Sequence, residues 1–221
     1  MRQAGMKLDG CPVPITSLVR IHFTHWKPDG SRGEGDLVVH RDVAVEMNSI
    51  LGELFQLRFP IESARPIEAF GGDDDASMAA NNTSAFNCRA KALAPLPDGT
   101  VPPPEFSLHS YGATVDLNPR ENPYVKPTAE GLAAWKVYAA ETPVNGLPGR
   151  LLAFCAAQPS RCVVMPEAAR AFVDRTPRGG VITPAVVEVF KRRGYRWGGD
   201  WPASATDKVR TDLQHFEKDL P

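Results

Sequence analysis

Apolar and polar residues alternate along residues 18–23, and this period of two predicts a β-strand. A segment rich in Gly and Asp at 27–36 predicts a hairpin-like connection to the short apolar run 37–39. Between residues 41 and 59 the apolar positions recur at helical spacing, which predicts an amphipathic helix that ends before Pro60. The first part of the chain therefore predicts strands followed by a helix.

The middle of the chain predicts short elements separated by turns. Residues 61–70 predict an extended segment, whereas the polar runs 71–75 and 81–84 predict solvated turns. A proline-rich connector at 95–104 leads to a strand predicted at 113–117, which carries an aspartate between two apolar residues.

Helices dominate the pattern of the last part. We predict helices at 129–141, 167–174 and 183–193, the third with a proline in its first turn and a glycine after its end. A last short element is predicted at 212–217. Helices and strands are segregated rather than regularly alternating, so the sequence predicts an α+β fold. The length suits a single domain over residues 1–221.

Composition narrows the classes of function. The chain has 25 basic and 26 acidic side chains, which gives no electrostatic footprint for nucleic acid. No apolar run is long enough to span a membrane. The N-terminal residues lack the apolar core of a signal peptide. We therefore expect either that this export route is not used or that the chain is a mature or trimmed form.

Four cysteines leave their pairing open. Cys155 and Cys162 are close in sequence, which suits a local disulfide in an oxidising compartment, and Cys11 and Cys88 could form a second one. Free buried thiols in a cytosolic protein are the alternative. The spacing does not match a paired C-x-x-C zinc site.

Two histidines and two aspartates carry the candidate chemistry. His109 and Asp116 flank Gly112, at which a loop could turn into the predicted strand. Asp212 and His215 share one face of a helical turn or a tight loop. Each half alone is as typical of a structural histidine or a capping aspartate. Together they predict a metal-dependent hydrolase, because two imidazoles and a carboxylate suffice for a catalytic zinc and Asp212 can act as base.

Arg89 and an aromatic segment are further candidates. Arg89 lies among apolar and small residues, and a buried guanidinium must face an anion or a carbonyl. It could steady a substrate carboxylate or an oxyanion, or form a salt bridge with a surface acid. Residues 195–201 combine two tryptophans with two glycines, and these indoles could line a substrate groove or pack in the core.

The motifs recur in an order that resembles one peptidase family. They are Ser-x-His-x-x-Gly-x-x-x-Asp at 107–116, Trp-Gly-Gly-Asp-Trp at 197–201 and Asp-x-x-His-Phe-Glu at 212–217, with further similarity at 82–89 and 122–125. This set resembles the D-alanyl-D-alanine carboxypeptidase family of zinc metallopeptidases, and within it the L-alanyl-D-glutamate endopeptidases of phage lysins and wall hydrolases. The resemblance spans roughly residues 15–217.

The resemblance implies a role for each candidate residue. His109, Asp116 and His215 match the ligands of Zn²⁺, Asp212 matches the general base, and Arg89 matches the arginine that polarises the scissile carbonyl.

The resemblance also implies a fold and a substrate. We expect a small central antiparallel sheet that carries the zinc and is flanked by helices. We expect substrate contacts from Ser107, Tyr111 and Trp197. The expected substrate is a peptidoglycan stem peptide. We expect the protein to be a monomer that is secreted or located in the cell envelope and that binds no nucleic acid.

Two departures from the family pattern and two alternative functions stay open. Thr114 replaces a small apolar residue, and the inserted segment at about 126–163 looks longer than in compact relatives. This segment could cap the groove or change which bond is cut. The alternatives are a D,D-carboxypeptidase or dipeptidase that trims terminal D-alanine, and a catalytically silent, zinc-containing wall-binding module.

Overall fold

The computed structural model describes residues 10–90, 100, 105–141, 147–201 and 209–220. The predicted connector at 95–104 lies outside them, apart from residue 100. The strands are β1 (Leu18–Trp26), β2 (Arg32–His40), β3 (Ser63–Ala64), β4 (Asn82–Thr83), β5 (Thr114–Asp116), β6 (Tyr124–Pro127), β7 (Cys162–Met165), β8 (Arg196–Trp197), β9 (Thr211–Asp212) and β10 (His215–Glu217). The α-helices are α1 (Ala44–Gln56), α2 (Asp74–Ala79), α3 (Ala129–Glu141), α4 (Leu147–Ala157) and α5 (Pro184–Lys191). Helices combined with small, mainly antiparallel sheets confirm the α+β class.

The hairpin and helix predicted at the start of the chain are confirmed. β1 and β2 pair antiparallel, from Leu18 opposite His40 to Trp26 opposite Arg32. Their inner face packs with α1 and α5 around a first core, whose largest fully buried side chains are Leu37, Met47, Ile50, Leu54, Phe190 and Phe216. Burying one such side chain contributes about 1.5–3 kcal/mol. The rings of Phe190 and Phe216 stack with centroids 3.8 Å apart, which ties α5 to β10.

A C-terminal pair of strands joins two three-stranded sheets. One sheet has the order β5-β10-β8 and the other the order β7-β6-β9. Only Leu213 and Gln214 separate β9 from β10, so one short segment belongs to both sheets. The last element predicted at 212–217 is therefore two strands around a tight turn. The candidate residues Asp212 and His215 lie where the two sheets meet.

The predicted insertion at about 126–163 builds part of a second core. Its helices α3 and α4 pack against the sheet β7-β6-β9 through buried side chains that include Val125, Trp135, Leu151, Phe154, Val164 and Leu213. The helix predicted at 129–141 is confirmed, but α4 is not predicted, because Pro148 and Gly149 near its start disfavour a helix. Leu213 belongs to this second core while Phe216 belongs to the first.

Both suggested disulfides form in the structure. Cys11 pairs with Cys88 and Cys155 pairs with Cys162, with Cα atoms 5.9 and 5.6 Å apart, inside the usual range. No cysteine is free.

Residues 61–84 differ from the prediction. The extended part of 61–70 is limited to β3, and a 3₁₀ turn, Ile67–Phe70, follows it. Asp73 accepts a hydrogen bond from the Ala76 amide at 3.0 Å and so caps α2, where we predicted a solvated turn. Asn82 is fully buried, and its amide bonds the backbone of Arg65. Polar residues whose pattern suggests turns instead form hydrogen bonds with the end of a helix and with buried backbone groups.

The helices predicted at 167–174 and 183–193 are both present. The first is a 3₁₀ helix, Glu167–Phe172. The second is α5, which is capped by Thr183 and followed by Gly194 at φ +78°. No helix among the described residues is long and apolar enough to cross a bilayer.

Candidate metal centre

His109 enters the site on a tight turn that leads into β5. It lies in the 3₁₀ turn Leu108–Tyr111, which ends at Gly112 with φ +74°. This left-handed conformation favours glycine, and a Cβ at this position would also lie 2.7 Å from the His40 amide nitrogen. The turn predicted at Gly112 is confirmed. It brings His109 and Asp116 to the same end of the sheet.

Strand register brings the two halves of the candidate site together. Asp116 on β5 lies directly opposite His215 on β10, although the two residues are 99 positions apart. On its other side, the Asp116 backbone forms a bridge with Ser84. The Asp116 Oδ1 lies 3.0 Å from His215 Nδ1, and its Oδ2 lies 3.1 Å from His109 Nε2. Both carboxylate oxygens therefore face an imidazole.

The remaining nitrogen of each imidazole is already bonded. His109 Nδ1 donates to the Ala85 carbonyl oxygen at 2.6 Å, and His215 Nε2 donates to Glu217 Oε2 at 3.2 Å. With these two bonds made, the neutral imidazoles would direct the lone pairs of His109 Nε2 and His215 Nδ1 toward Asp116. One donor atom from each of His109, Asp116 and His215 lies within 4.8 Å of the others. Two nitrogens and one carboxylate oxygen at this separation fit a zinc ion with an open position.

The charges of the three residues are strongly coupled. Burial opposes the charge of Asp116, but attraction and hydrogen bonds from both histidines outweigh burial and hold its pKa well below the usual range. Burial lowers the pKa of His215, yet hydrogen bonds with Asp116 and Glu217 raise it to about 10. The pKa of His109 is also raised, because Asp116 outweighs the effect of burial. The cluster thus favours positive charge beside Asp116, in the form of protons or of a cation.

Asp212 lies in the wall of the same cavity, on β9. The cavity has a volume of about 960 Å³ and is also lined by His109, Asp116 and His215. Burial raises the pKa of Asp212 to about 6, an effect that His215 opposes and Asp116 reinforces. Its buried Oδ1 has no hydrogen-bond partner among the described residues. This carboxyl group can therefore exchange a proton near neutral pH.

Gly198, in the 3₁₀ turn after β8, allows this turn to approach β9 and β10 closely at the site. A Cβ at this residue would lie 2.4 Å from the Asp212 carbonyl oxygen and 3.1 Å from the His215 Cβ. Only glycine fits such a contact without moving the backbone that carries both candidate residues. The backbone at Gly198 is thus in close contact with the residues that carry the site.

Arg89 lies in the cavity wall but is paired with an acid. Its Nη2 lies 2.8 Å from Asp74 Oδ2, while its buried Nε has no hydrogen-bond partner in the described part of the chain. The guanidinium is therefore paired with Asp74 at Nη2, while its Nε is buried without a partner among the residues described. Both interpretations of Arg89 from the sequence, a salt bridge and a group facing the substrate, are compatible with this position.

The three residues expected to contact substrate lie in different places. Ser107 lines the cavity beside His109. Tyr111 is half exposed and is not among the residues that line the cavity. Trp197 packs against both cores and donates from its indole to the Leu213 carbonyl oxygen at 2.9 Å, so it stands behind the site. Trp201 is the tryptophan that lines the cavity.

Some site residues are not identified from the sequence. Glu217 bonds His215, and its position two residues along a strand is the signal that would have found it. Tyr124 and Arg210 line the cavity, and Tyr124 lies opposite Asp212 in the β6–β9 ladder. Burial raises the pKa of the Tyr124 hydroxyl, as Asp212 also does, while the nearby Arg210 opposes the shift.

Comparison with known proteins supports one family. The family model described as D-alanyl-D-alanine carboxypeptidase matches residues 102–218, more than half of the 221-residue chain. Searches of curated proteins and of solved structures gave no match. The matched range contains the three clustered residues and Asp212, whereas Arg89 precedes it. The family match and the His-Asp-His cluster inside it lead to one conclusion: the chain belongs to the D-alanyl-D-alanine carboxypeptidase family of peptidases.

Proposed function

We infer that the protein is a zinc-dependent peptidase that hydrolyses peptide bonds in peptidoglycan stem peptides. The observation that carries this inference is the buried cluster of His109, Asp116 and His215, which lies in the wall of a cavity large enough for a peptide segment. The family match supports a peptidase, and the donor set supports zinc. Zinc held by these residues would supply Lewis acidity, which lowers the pKa of water and polarises a carbonyl.

Asp212 is the proposed general base. Asp212 lines the cavity and its Oδ1 has no donor in the described part of the chain, so the carboxylate can take a proton from the attacking water and return it to the departing amine. Its pKa of about 6 suits both directions of this transfer near neutral pH. The hydrogen bond of His215 to Glu217 and that of His109 to Ala85 hold the two imidazoles in place.

Arg89 is the proposed partner of the scissile carbonyl oxygen. Arg89 lines the cavity and its Nε proton is unused among the described residues, so the guanidinium can donate to the oxygen as negative charge develops there, while Asp74 holds its Nη2 side. Ser107 is a proposed substrate contact because it lines the cavity. For Tyr111 and Trp197 that proposal rests on the resemblance alone, and Trp201 is better placed for an aromatic contact.

Digestion of purified peptidoglycan by the zinc-loaded protein, followed by mass spectrometry of the fragments, tests the proposed function. Loss of a single alanine identifies a D,D-carboxypeptidase, whereas release of larger peptide fragments identifies an endopeptidase. Binding to sacculi without any released product would instead indicate a catalytically silent wall-binding module, and it would contradict the proposal.

A cell-wall substrate places the proposed site of action outside the cytoplasm. Both disulfides support this location, since such bonds persist in oxidising compartments. We propose action in the cell envelope or after secretion, as a monomer, with no nucleic-acid partner.

A further inference from the structure

The residues around Asp212 alternate between core and cavity. Val209 and Leu213 are buried in the second core, whereas Arg210, Asp212 and Gln214 line the cavity. The short strand β9 and the turn at Leu213 and Gln214 that follows it produce this alternation. One short segment therefore carries a guanidinium, the proposed base and a carboxamide to the same wall.

The ring of Trp201 contacts the Arg210 guanidinium. The guanidinium carbon lies 4.8 Å from the ring centroid of Trp201, which is itself 5.1 Å from the imidazole centroid of His215. This cation–π contact holds the positive charge against the tryptophan that neighbours His215. Arg210 forms no ion pair with any acid in the part of the chain that the structure describes.

The second guanidinium of the cavity and one of its carboxylates have partners among the described residues. Asp74 neutralises Arg89 at 2.8 Å, and Glu217 bonds both His215 and Arg196. A guanidinium cannot lose its proton, and its planar fork matches a carboxylate in two parallel hydrogen bonds. Arg210 is therefore a cation in the cavity wall whose charge no described acid balances.

We propose that Arg210 binds the free carboxylate of the substrate residue whose amine departs. This inference rests on the proposed function. A terminal D-alanine has its carboxylate one carbon from that amine, and a D-glutamate linked through its γ-carboxyl has a free carboxylate at the same place. Asp212, which returns the proton to the departing amine, is only two residues from Arg210 along the wall. Arg210 thereby selects the acid on the leaving side of the scissile bond.

The first test compares two pairs of peptides with the zinc-loaded full chain. One pair is acetyl-L-lysyl-D-alanyl-D-alanine and its C-terminal carboxamide, and the other is L-alanyl-γ-D-glutamyl-L-lysine and its D-isoglutamine form. We expect kcat/KM to favour the free acid of the cleaved pair by roughly 10- to 100-fold. Arg210→Gln should abolish most of this preference, because hydrolysis of the free acid slows far more than hydrolysis of the amide. Arg210→Lys should retain part of the preference.

The matched control is Arg32→Gln. Arg32 also has its guanidinium over a tryptophan, at 5.4 Å from the Trp26 ring, but it lies outside the cavity. This variant should keep the full preference for the acid. Equal losses on acid and amide in Arg210→Gln would show a merely structural role and would overturn the proposal.

A binding measurement separates this inference from the proposed function. Calorimetry with N-acetyl-D-alanine and N-acetyl-D-alaninamide should show tighter binding of the acid, and Arg210→Gln should remove the difference. If neither peptide pair is cleaved yet this difference depends on Arg210, the proposed function fails and the carboxylate site stands. If peptides are cleaved but the preference survives in Arg210→Gln, the carboxylate site fails and the peptidase stands.

Discussion

His215 Nε2 lies 3.2 Å from Glu217 Oε2, and the two residues are two positions apart on β10. Alternate residues of a strand project from the same face, so the strand itself aligns the carboxylate with the imidazole. Glu217 accepts the proton of Nε2 and leaves Nδ1 directed at Asp116. The orientation of one proposed metal ligand is thus set by the strand that carries it.

Replacing Glu217 by Ala should weaken zinc binding by about 10- to 100-fold, because His215 loses the acceptor that fixes its ring. Competition with a chromophoric chelator measures this affinity. Asp219→Ala is the matched control, since Asp219 also bonds Arg196 but does not contact His215. Equal zinc affinity in both variants would refute the orienting role of Glu217.

Replacing Asp212 by Asn should leave zinc bound and reduce kcat by about 10²- to 10⁴-fold, because an amide cannot accept the proton of water. His215→Ala, by contrast, should lose zinc together with activity. Turnover of stem peptides and metal content measured on the same samples distinguish the two variants. An Asp212→Asn variant with wild-type kcat would exclude this residue as the base.

Arg89→Ala should reduce kcat by about 10²- to 10³-fold if its Nε edge faces the developing oxyanion. Asp74→Ala breaks the same ion pair but leaves the guanidinium in the cavity wall, so its effect should stay below about 10-fold. Steady-state kinetics of both variants make the comparison. Similar losses in the two would mean that Arg89 acts only through the ion pair.

Gly198→Ala should reduce kcat/KM by roughly 10²-fold, because displacement of the backbone that carries Asp212 and His215 misplaces reacting groups. The midpoint of thermal unfolding should also fall. Gly52→Ala serves as the control, since this glycine lies in α1 with open space around its Cα and the change should raise helix stability by about 0.5–1 kcal/mol. If Gly198→Ala keeps full activity, the close strand approach is not required.

The sequence predicts the elements with strong hydrophobic periodicity well. β1, α1 and α5 follow such apolar patterns, and the structure confirms them; α3 is confirmed too, although its apolar periodicity is weak. The predicted solvated turn is present at Gly71 and Gly72, but Asp73 caps α2 and residues 81–84 are buried. Nothing in the local pattern separates a polar residue in a turn from one that satisfies a buried backbone group.

The candidate site is identified partly from its residue types and partly from resemblance. His109, Asp116 and His215 are predicted as a set, but their convergence depends on the register of β5 with β10, which lies far outside any local pattern. The contact of Arg210 with Trp201, nine positions earlier in the chain, is likewise not indicated by the local pattern. Trp197 differs in the opposite way. The resemblance implies that this tryptophan contacts substrate in the groove, whereas in the structure it packs between the two cores.

Zinc binding by His109, Asp116 and His215 is the property on which the proposed peptide hydrolysis depends. We would measure metal content and peptide hydrolysis for the wild type and for His109→Ala combined with His215→Ala, before and after chelation and zinc addition. We expect about one zinc per wild-type chain, with activity that is lost on chelation and restored by zinc. The double variant should have neither zinc nor activity. Full hydrolysis by protein shown to be free of metal, or stoichiometric zinc retained in the double variant, would contradict these expectations.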